Sequence, residues 1–500
     1  MRLLALLLTI LLLALQPVTA AAAAPDPDLL TRIDQYVSAA LAKVHIPGAA
    51  LALVKGDQII HLKGFGKADP NGRPVTPETP FVLGSLSKSI TATAVMQLVE
   101  QGKIDLDAPV VTYLPEFTLR DSRASRITVR HLLEQTSGLS TYDGRIQLDG
   151  SAGMSLAERV QSYQALSLTA EPGSRWQYSN VNYTIAGLLV ERVAGEPFAS
   201  YIRAHIFQPL DMTHSHTDLA SAQADGMATG HQILFGRPVA HTFPVQPDGL
   251  PASNLIASAG DLAHYLIAQM NGGRFGAAQI LKPESVQALQ TPTAWPMRGY
   301  GYAMGWGYEE GSGVLRHGGD MPDFHGDLLM DPRSGWGVAL LINVNSNFLG
   351  AHVTQLSRNL IAMLNGETLP EDDSTYREII LYTNLLVVAV LLGAAGLLLL
   401  LRRLRRGLRP TASGIALRLA LPSLLLLLIG ALLWGGIPRL VTTPWRSILL
   451  FELTLGYTLA FLTGFTLLLG LLHPVLGYRQ LGLSSGPAGA AAGRPGAPAR

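Results

Sequence analysis

The sequence predicts an α+β domain, an antiparallel sheet flanked by helices with an inserted helical lobe, followed by an all-α transmembrane unit of three helices. Strand-like segments lie near both ends of residues 25–365 and enclose a helical middle, which favours one sheet built from both chain ends. After about residue 378 the chain becomes strongly apolar. Its 500 residues also exceed the length of one ordinary domain, so at least two units are expected.

The N-terminus is typical of an export signal. Met1 and Arg2 give a short positive start, and Leu3 to Leu15 form an apolar run about the length of a signal core. Small residues from Val18 to Ala24 offer cleavage sites, so residues 1–24 are predicted to be a signal peptide. A fourth membrane helix is the alternative, but the run is short for a span.

Charge and cysteine content exclude several classes of function. The formal net charge is +1, which gives no indication of a nucleic-acid partner. The chain has no cysteine, so disulfides, a cysteine nucleophile and a lipid anchor on an N-terminal thiol are excluded.

The outer domain, residues 25–365, contains segments with the periodicity of helices and segments with the periodicity of strands. A helix comes first, then a strand pair that turns at Gly56-Asp57, then a helix that ends near Gly102. Helices joined by loops fill the middle, and successive antiparallel strands with a final helix close the domain. We expect the site in the cleft between the sheet and the helical lobe. The predicted strands are 49–54, 58–65, 302–308, 314–317, 325–330 and 336–344, and the predicted helices are 29–44, 90–101 and 351–364.

Three apolar segments near the C-terminus each have the roughly 20 residues that a helix needs to cross the hydrocarbon of a membrane. They cover residues 379–401, 415–436 and 448–472. The acidic stretch 366–378 is predicted to be a solvated tether, and the Gly/Ala/Pro-rich residues 473–500 a disordered cytoplasmic tail. Anchoring is the expected role of the helices, with transport or signalling as the alternative.

Arginines predict the orientation of these helices. Many of them lie in or beside the connection between the first two predicted spans, whereas the second connection has only Arg439 and Arg446. By the positive-inside rule the first connection is cytoplasmic and the second lies outside. The outer domain is then extracytoplasmic, in agreement with the export signal, on a multi-pass protein of the bacterial cell membrane with a cytoplasmic C-terminus. The arginines around the first connection are Arg402, Arg403, Arg405, Arg406, Arg409 and Arg418.

Ser85 and Lys88 are the first candidate catalytic residues. They lie three positions apart at the start of a predicted helix, so both side chains project from one face. A serine hydroxyl is a weak nucleophile that needs a base, and a lysine can serve where burial lowers its pKa. The motif occurs once, among seven lysines, but is weak alone, and an ordinary exposed helix start is the alternative.

Tyr178 and Asn180 form a second motif. A tyrosine near a lysine can share protons between nucleophile and leaving group, and an asparagine can hold a substrate amide. This pattern is also weak alone, because Tyr382-Thr383-Asn384 repeats it inside a predicted span.

His317, Gly318 and Gly319 form a third motif at the end of a predicted strand. Glycines at a sheet edge allow a substrate backbone to approach closely. The backbone N–H of Asp320 could then pair with that of Ser85 in an oxyanion hole. A strand-ending turn without function is the alternative.

The order of these three motifs resembles the serine β-lactamase and penicillin-binding-protein superfamily. The surrounding sequence looks most like the class C β-lactamase-related serine hydrolases, and the resemblance implies a β-lactamase/transpeptidase-like fold. The matching stretches span nearly all of the outer domain, in family order. They are PFVLGSLSKSITATAVMQLVEQGKIDLDAPV from Pro80, ITVRHLLEQTSGL from Ile127, PGSRWQYSNVNYTIAGLLVERVAG from Pro172, YGYAMGWGY from Tyr300 and RHGGDMPDF from Arg316.

The resemblance implies a role for each motif residue. Ser85 would be the acylated nucleophile, and Lys88 and Tyr178 would act together as base in acylation, with Tyr178 assisting deacylation. Which of the two takes the first proton is left open. No metal or organic cofactor is implied. The substrate-binding residues would be Asn180, His317, Gly318 and Gly319, and the oxyanion-hole amides would be those of Ser85 and Asp320.

His317 departs from the family pattern, since lactamase and carboxypeptidase members usually have a lysine there. Histidine is mostly neutral at pH 7, so less positive charge would face a substrate carboxylate. Asp320 and Asp323 follow closely and are expected to repel a carboxylate further. Esters, amides or substrates with a free amine therefore fit as well as, or better than, penicillins and D-alanyl peptides.

The remaining candidates are histidines. A metal site at His214-Ser215-His216 lacks a carboxylate at a familiar spacing, so loop histidines are expected and no metal. His131 is a candidate base, but its context, ending in Thr136-Ser137-Gly138, favours a structural helix and loop that shape the cleft. The clustered histidines are His205, His214, His216, His231 and His241.

Two classes of function stay open. The favoured class is an extracytoplasmic serine hydrolase that forms a covalent acyl-enzyme with an amide or ester, such as a cell-wall peptide or a D-amino-acid amide, near the membrane or wall. The rival is a sensor that is acylated by a β-lactam or peptide and turns over little. The short C-terminal tail offers no effector domain, which favours the enzyme.

Overall fold

A computed structural model gives the fold of most of the chain. The described part divides into a globular unit, up to Ile379, and a unit of long apolar helices after it. The predicted signal peptide, the middle of the predicted tether and the last twenty residues of the predicted tail lie outside the described residues. The described residues are 27–146, 153–369, 375–406 and 412–480.

The globular unit is built around an antiparallel sheet, as the sequence predicts, and this sheet has eight strands in the described residues. In the part of the chain that the structure describes, fourteen strands form this sheet and three small ribbons: β1 (Gly48–Lys55), β2 (Gln58–Gly66), β3 (Phe81–Val82), β4 (Gly230–Leu234), β5 (Arg237–His241), β6 (Ile256–Ala257), β7 (Arg274–Phe275), β8 (Ala278–Gln279), β9 (Ala294–Met297), β10 (Tyr300–Tyr302), β11 (Gly307–Glu309), β12 (Leu315–Asp320), β13 (His325–Asp331) and β14 (Trp336–Ile342). The order of the large sheet is β2-β1-β14-β13-β12-β11-β10-β9. Since β1 pairs with β14, with Ala49 opposite Ile342, the sheet joins both ends of the domain.

Helices surround this sheet and form the lobe in the middle of the chain. They are α1 (Pro27–Lys43), α2 (Ser87–Glu100), α3 (Val129–Leu133), α4 (Thr141–Ile146), α5 (Leu156–Gln161), α6 (Asn180–Ala194), α7 (Phe198–Ile202), α8 (Leu219–Ala224), α9 (Ala259–Met270), α10 (Pro283–Gln290) and α11 (Asn347–Leu364). α9 packs on β1 and β14, and α11 packs on β13 and β14. Residues 87–98 of α2 are all buried, as expected for a helix packed on every side.

Two sheet predictions are corrected by the structure. The stretch 302–308 is not one strand, because a turn separates β10 from β11. Gly305 in that turn has φ +80°, and a Cβ there would lie 3.0 Å from the Lys88 carbonyl oxygen, so the turn presses against α2. β12 does not end near His317 but continues through the two glycines to Asp320.

Among the described residues, the second unit contains three helices long and apolar enough to cross a membrane. The candidate spans are Arg377–Leu399, Leu419–Leu440 and Leu453–Val475. They belong to α12 (Thr375–Arg406), α13 (Ala412–Leu440) and α15 (Leu453–Gln480), with the short α14 (Trp445–Phe451) between the last two.

The ends of these helices differ from the sequence predictions. Thr375 to Glu378, assigned to the tether, are the first turn of α12. Residues 448–451 of the predicted third span belong to α14. Residues 473–480 of the predicted tail are helical and extend α15. Apolar composition therefore located the candidate spans, but it did not locate the helix ends.

Glycines bring α13 and α15 close together. A Cβ on Gly430 would lie 2.6 Å from the Leu467 side chain, and one on Gly470 would lie 2.8 Å from that of Leu427. Small residues at such crossings allow close packing without a hydrophobic driving force. Ser423 Oγ and His473 Nδ1, 3.2 Å apart, add a buried polar contact between the same helices.

Candidate active site

Ser85 lies in a 3₁₀ turn, Gly84–Leu86, directly before α2. Gly84 has φ +54°, and a Cβ on it would lie 2.6 Å from the backbone nitrogen of Asp320. A Cβ on Gly319 would likewise collide with the Leu83 carbonyl oxygen. Glycines on both sides therefore allow the backbone of β12 to lie directly against the turn that carries Ser85.

Lys88 follows one turn later and is fully buried. Its Nζ lies 3.0 Å from Ser85 Oγ, 2.8 Å from Asn180 Oδ1 and 2.7 Å from the Ala252 carbonyl oxygen. Burial lowers the pKa of Lys88 well below its usual range, and the Asp320 carboxylate opposes this only in part. A neutral amine has two N–H groups and one lone pair. This matches two oxygens that only accept and one hydroxyl that can donate.

Tyr178 lies beside the same pair. Its ring centroid is 4.9 Å from Lys88 Nζ, and its hydroxyl is close enough to the Ser85 side chain to feel it electrostatically. Burial raises the pKa of Tyr178 above its usual value, against the smaller opposing effect of the Ser85 side chain. At neutral pH Tyr178 is therefore a phenol and a proton donor, while Lys88 is the better proton acceptor.

His317 is buried in β12 and is uncharged. Burial lowers the pKa of His317 to about 3. Its Nδ1 lies 2.7 Å from the Gly318 carbonyl oxygen, which can only accept, so Nδ1 carries the proton. Nε2, 3.4 Å from the Tyr302 hydroxyl, is then a hydrogen-bond acceptor. The ring offers a substrate carboxylate neither a charge nor a donor at Nε2.

The edge of β12 that faces away from β13 is partly unpaired. β11 pairs only with Leu315 and Arg316 in the described ladder, so the residues from His317 to Asp320 have no strand partner on that side. The Gly84–Leu86 turn lies over the face of β12 and β13, because a Cβ on Gly319 or on its partner Gly326 would meet Leu83 or Leu86. This packing brings the Asp320 backbone near Gly84, the residue before Ser85. The oxyanion hole predicted from the Ser85 and Asp320 amides stays a prediction.

The two carboxylates expected to repel a substrate carboxylate both have hydrogen-bond partners within the fold. Asp320 Oδ1 accepts from His325 Nδ1 at 2.8 Å and from Asn345 Nδ2 at 3.0 Å. Burial alone would raise the pKa of Asp320, but the His325 charge holds it below its usual value. Asp323 is almost completely buried and accepts from the Phe243 amide at 2.7 Å. The Asp320 side chain is half exposed and its charge still acts on Lys88, so repulsion of a substrate carboxylate stays a prediction.

Sequence reasoning missed several neighbours of these residues. The Ala252 carbonyl belongs to a π-helical turn, Leu250–Asn254, a distortion common at functional sites. Trp176 and Tyr302 line the Tyr178 ring at centroid distances of 6.3 and 6.4 Å. A backbone carbonyl leaves no signal in a sequence, although Trp176 lies only two residues before Tyr178.

The other histidine candidates have structural partners. His214 and His216 share Asp225, with contacts of 3.0 and 2.8 Å. The described residues contain no group of three or more ligands that could hold a metal ion. His131 accepts the Thr128 backbone N–H at Nδ1, 3.2 Å away, and so closes a capping box at the start of α3.

The chain is similar to several known proteins. A family model described as Beta-lactamase matches residues 33–359, more than half of the chain. Protein flp of Staphylococcus aureus (strain COL) is 25% identical over 374 residues, which cover 73% of this chain and 74% of that protein. The protein PbpX of Bacillus subtilis (strain 168) is 28% identical, covering 67% of this chain and 79% of that protein. The octameric penicillin-binding protein homologue from Pyrococcus abyssi has a TM-score of 0.62 at 28% identity, covering 71% of this chain and 81% of that one. With its antiparallel sheet and the motifs gathered beside it, the chain belongs to the β-lactamase family.

Proposed function

We propose that this protein is a membrane-anchored, extracytoplasmic serine hydrolase that forms a covalent acyl-enzyme on Ser85. The observation that carries the proposal is the environment of Lys88. A fully buried amine has two acceptor-only partners and the Ser85 hydroxyl as its third. Such an arrangement favours a neutral lysine whose lone pair faces the nucleophile.

The proposed acylation has Lys88 as the first proton acceptor. Ser85 Oγ bonds to the substrate carbonyl carbon, and its proton moves to Lys88 Nζ over 3.0 Å. The oxygen that becomes negative would be held by the Ser85 and Asp320 amides. The bond to the leaving oxygen or nitrogen then breaks. That atom takes a proton from the Tyr178 hydroxyl, and Lys88 returns its proton to Tyr178.

Deacylation reverses these roles. A water oxygen bonds to the acyl carbon and gives its proton to the Lys88–Tyr178 pair. Ser85 Oγ leaves with a proton, which restores the starting state. Proton transfer by a placed side chain typically contributes 10²–10⁴-fold to the rate, so loss of either partner should be severe.

The neutral His317 supports a substrate without a carboxylate at that position. Its Nε2 accepts a hydrogen bond and carries no charge, so it would suit an ester, an amide or a group with an N–H or O–H donor. Asn180, held by Lys88, would orient the substrate amide. A cell-wall peptide, a D-amino-acid amide or an ester near the membrane is the proposed substrate class, and the candidate spans would keep the enzyme at the lipid bilayer.

The test uses the full-length protein in detergent micelles. A fluorophosphonate should label Ser85, and p-nitrophenyl butyrate should be hydrolysed over many turnovers. Ser85→Ala should abolish both, whereas Ser125→Ala, at an exposed serine, should change neither. Labelling of another serine with Ser85 spared would refute the mechanism. A single burst of product with no further turnover would instead favour the acylated sensor.

A further inference from the structure

Gln135 is an unusual residue beside the site. It lies just after α3, is completely buried, and has φ +62°. The left-handed region is unfavourable for a residue with a side chain, and such strain persists only where the surrounding structure enforces it. Its position in the sequence, inside the stretch that ends in Thr136-Ser137-Gly138, gave no indication of a role in chemistry.

Gln135 accepts hydrogen bonds from the residues on both sides of Tyr178. Its backbone carbonyl accepts from the Gln177 amide at 2.8 Å, one residue before the tyrosine. Its side-chain Oε1 accepts from the Ser179 amide at 2.9 Å, one residue after it. The backbone on both sides of Tyr178 is therefore tied to a single residue.

The same side chain also holds the start of α6. Oε1 of Gln135 accepts from Asn182 Nδ2 at 2.6 Å, and Asn182 Oδ1 accepts from Ser137 Oγ at 2.6 Å. All three side chains in this network are completely buried. Asn180, in the first turn of that helix, in turn accepts from Lys88. One glutamine oxygen thus connects the loop to both the tyrosine segment and the helix that carries Asn180.

We infer that Gln135 is a positioning residue that holds the Tyr178 hydroxyl against Ser85, an inference that rests on the proposed function. The left-handed backbone aims the carbonyl and the side-chain oxygen of one residue at amides two positions apart. Without Oε1, the Ser179 amide and Asn182 lose a shared acceptor in a buried region, and the Tyr178 segment can shift. A misplacement of about 1 Å can reduce a rate by ~10²-fold.

The experiment measures fluorophosphonate labelling of Ser85 in the full-length protein, followed over hours so that slow variants are still measurable. Gln135→Met keeps the length of the side chain but removes its acceptor. Gln135→Gly also removes it and relieves the strain at positive φ, so it guards against a variant that fails to fold. Both should label at least ~10-fold more slowly. With p-nitrophenyl butyrate, kcat should fall while KM stays nearly unchanged.

A second background separates positioning from general structure. In a Tyr178→Phe protein, Gln135→Met should slow labelling by less than about 2-fold further, because the group that it positions is absent. Gln97 provides the matched control. It is a buried glutamine whose Nε2 donates to the His205 and Ile280 carbonyls, and Gln97→Met should leave the labelling rate of folded protein unchanged.

The outcomes are distinguishable. If Gln135→Met slows labelling by the same factor in the wild-type and the Tyr178→Phe protein, the positioning role is overturned while Ser85 remains the nucleophile. Wild-type labelling by Gln135→Gly would overturn it as well. If Ser85→Ala still labels and hydrolyses, the proposed function itself fails, independently of Gln135.

Discussion

Gly84→Ala tests the contact between the Ser85 turn and β12. Two costs follow from the structure. Alanine at φ +54° is disfavoured by about 1–2 kcal/mol, and its Cβ would lie 2.6 Å from the Asp320 nitrogen, where backbone atoms cannot yield cheaply. The turn and the strand must separate, which would move the two amides proposed to hold the oxyanion. Loss of one such donor typically costs 10²–10³-fold in kcat, and we expect a loss of about that size.

Gly102→Ala is the matched control for the strain alone. Gly102 has φ +68°, and a Cβ there would have nothing within 4 Å. This variant should lose about 1–2 kcal/mol in the free energy of unfolding and keep its turnover. The assays are chemical denaturation and p-nitrophenyl butyrate hydrolysis by full-length protein. If Gly84→Ala turns over at the wild-type rate, the close contact does not position the site and the reasoning is wrong.

Three further predictions concern protons and topology. Since burial lowers the pKa of Lys88, ester hydrolysis should rise with pH and level off well below pH 10.5. In a pH–rate profile, Lys88→Arg should remove this rise and reduce turnover by ~10²-fold or more. Burial opposes the charging of His325, yet Asp327 and Asp320 raise its pKa to about 10. The stabilisation from this raised pKa is fully present below pH 6.5 and is lost as the pH rises through 10. In chemical denaturation, His325→Gln should therefore reduce the free energy of unfolding most below pH 6.5. A fusion reporter after Leu364 should be active only outside the cytoplasm and one near Arg409 only inside; the reverse pattern would contradict the orientation.

Local patterns explain what could be predicted. Ser85 and Lys88 are three residues apart, and helical geometry alone puts them on one face, where the structure has their side chains 3.0 Å apart. The pairing of β1 with β2 was predicted from the strand-like periodicity of the two segments and the turn at Gly56 between them. The antiparallel sheet was also predicted correctly. The three candidate spans followed from composition, because crossing hydrocarbon requires about 20 apolar residues whatever surrounds them.

Only the tertiary structure decided how distant groups meet. Lys88 and Asn180 are 92 residues apart, and their contact depends on how α2 packs against α6. The Ala252 carbonyl and the strained Gln135 have no sequence signal, because backbone oxygens and positive φ values arise from packing. The proton position on His317 and the pairing of Asp320 with His325 were likewise set by neighbours from other strands and turns. Sequence determined which chemical groups are present and which are local neighbours; burial and packing decided their charge, their direction and their partners, because desolvation and hydrogen bonding act through space.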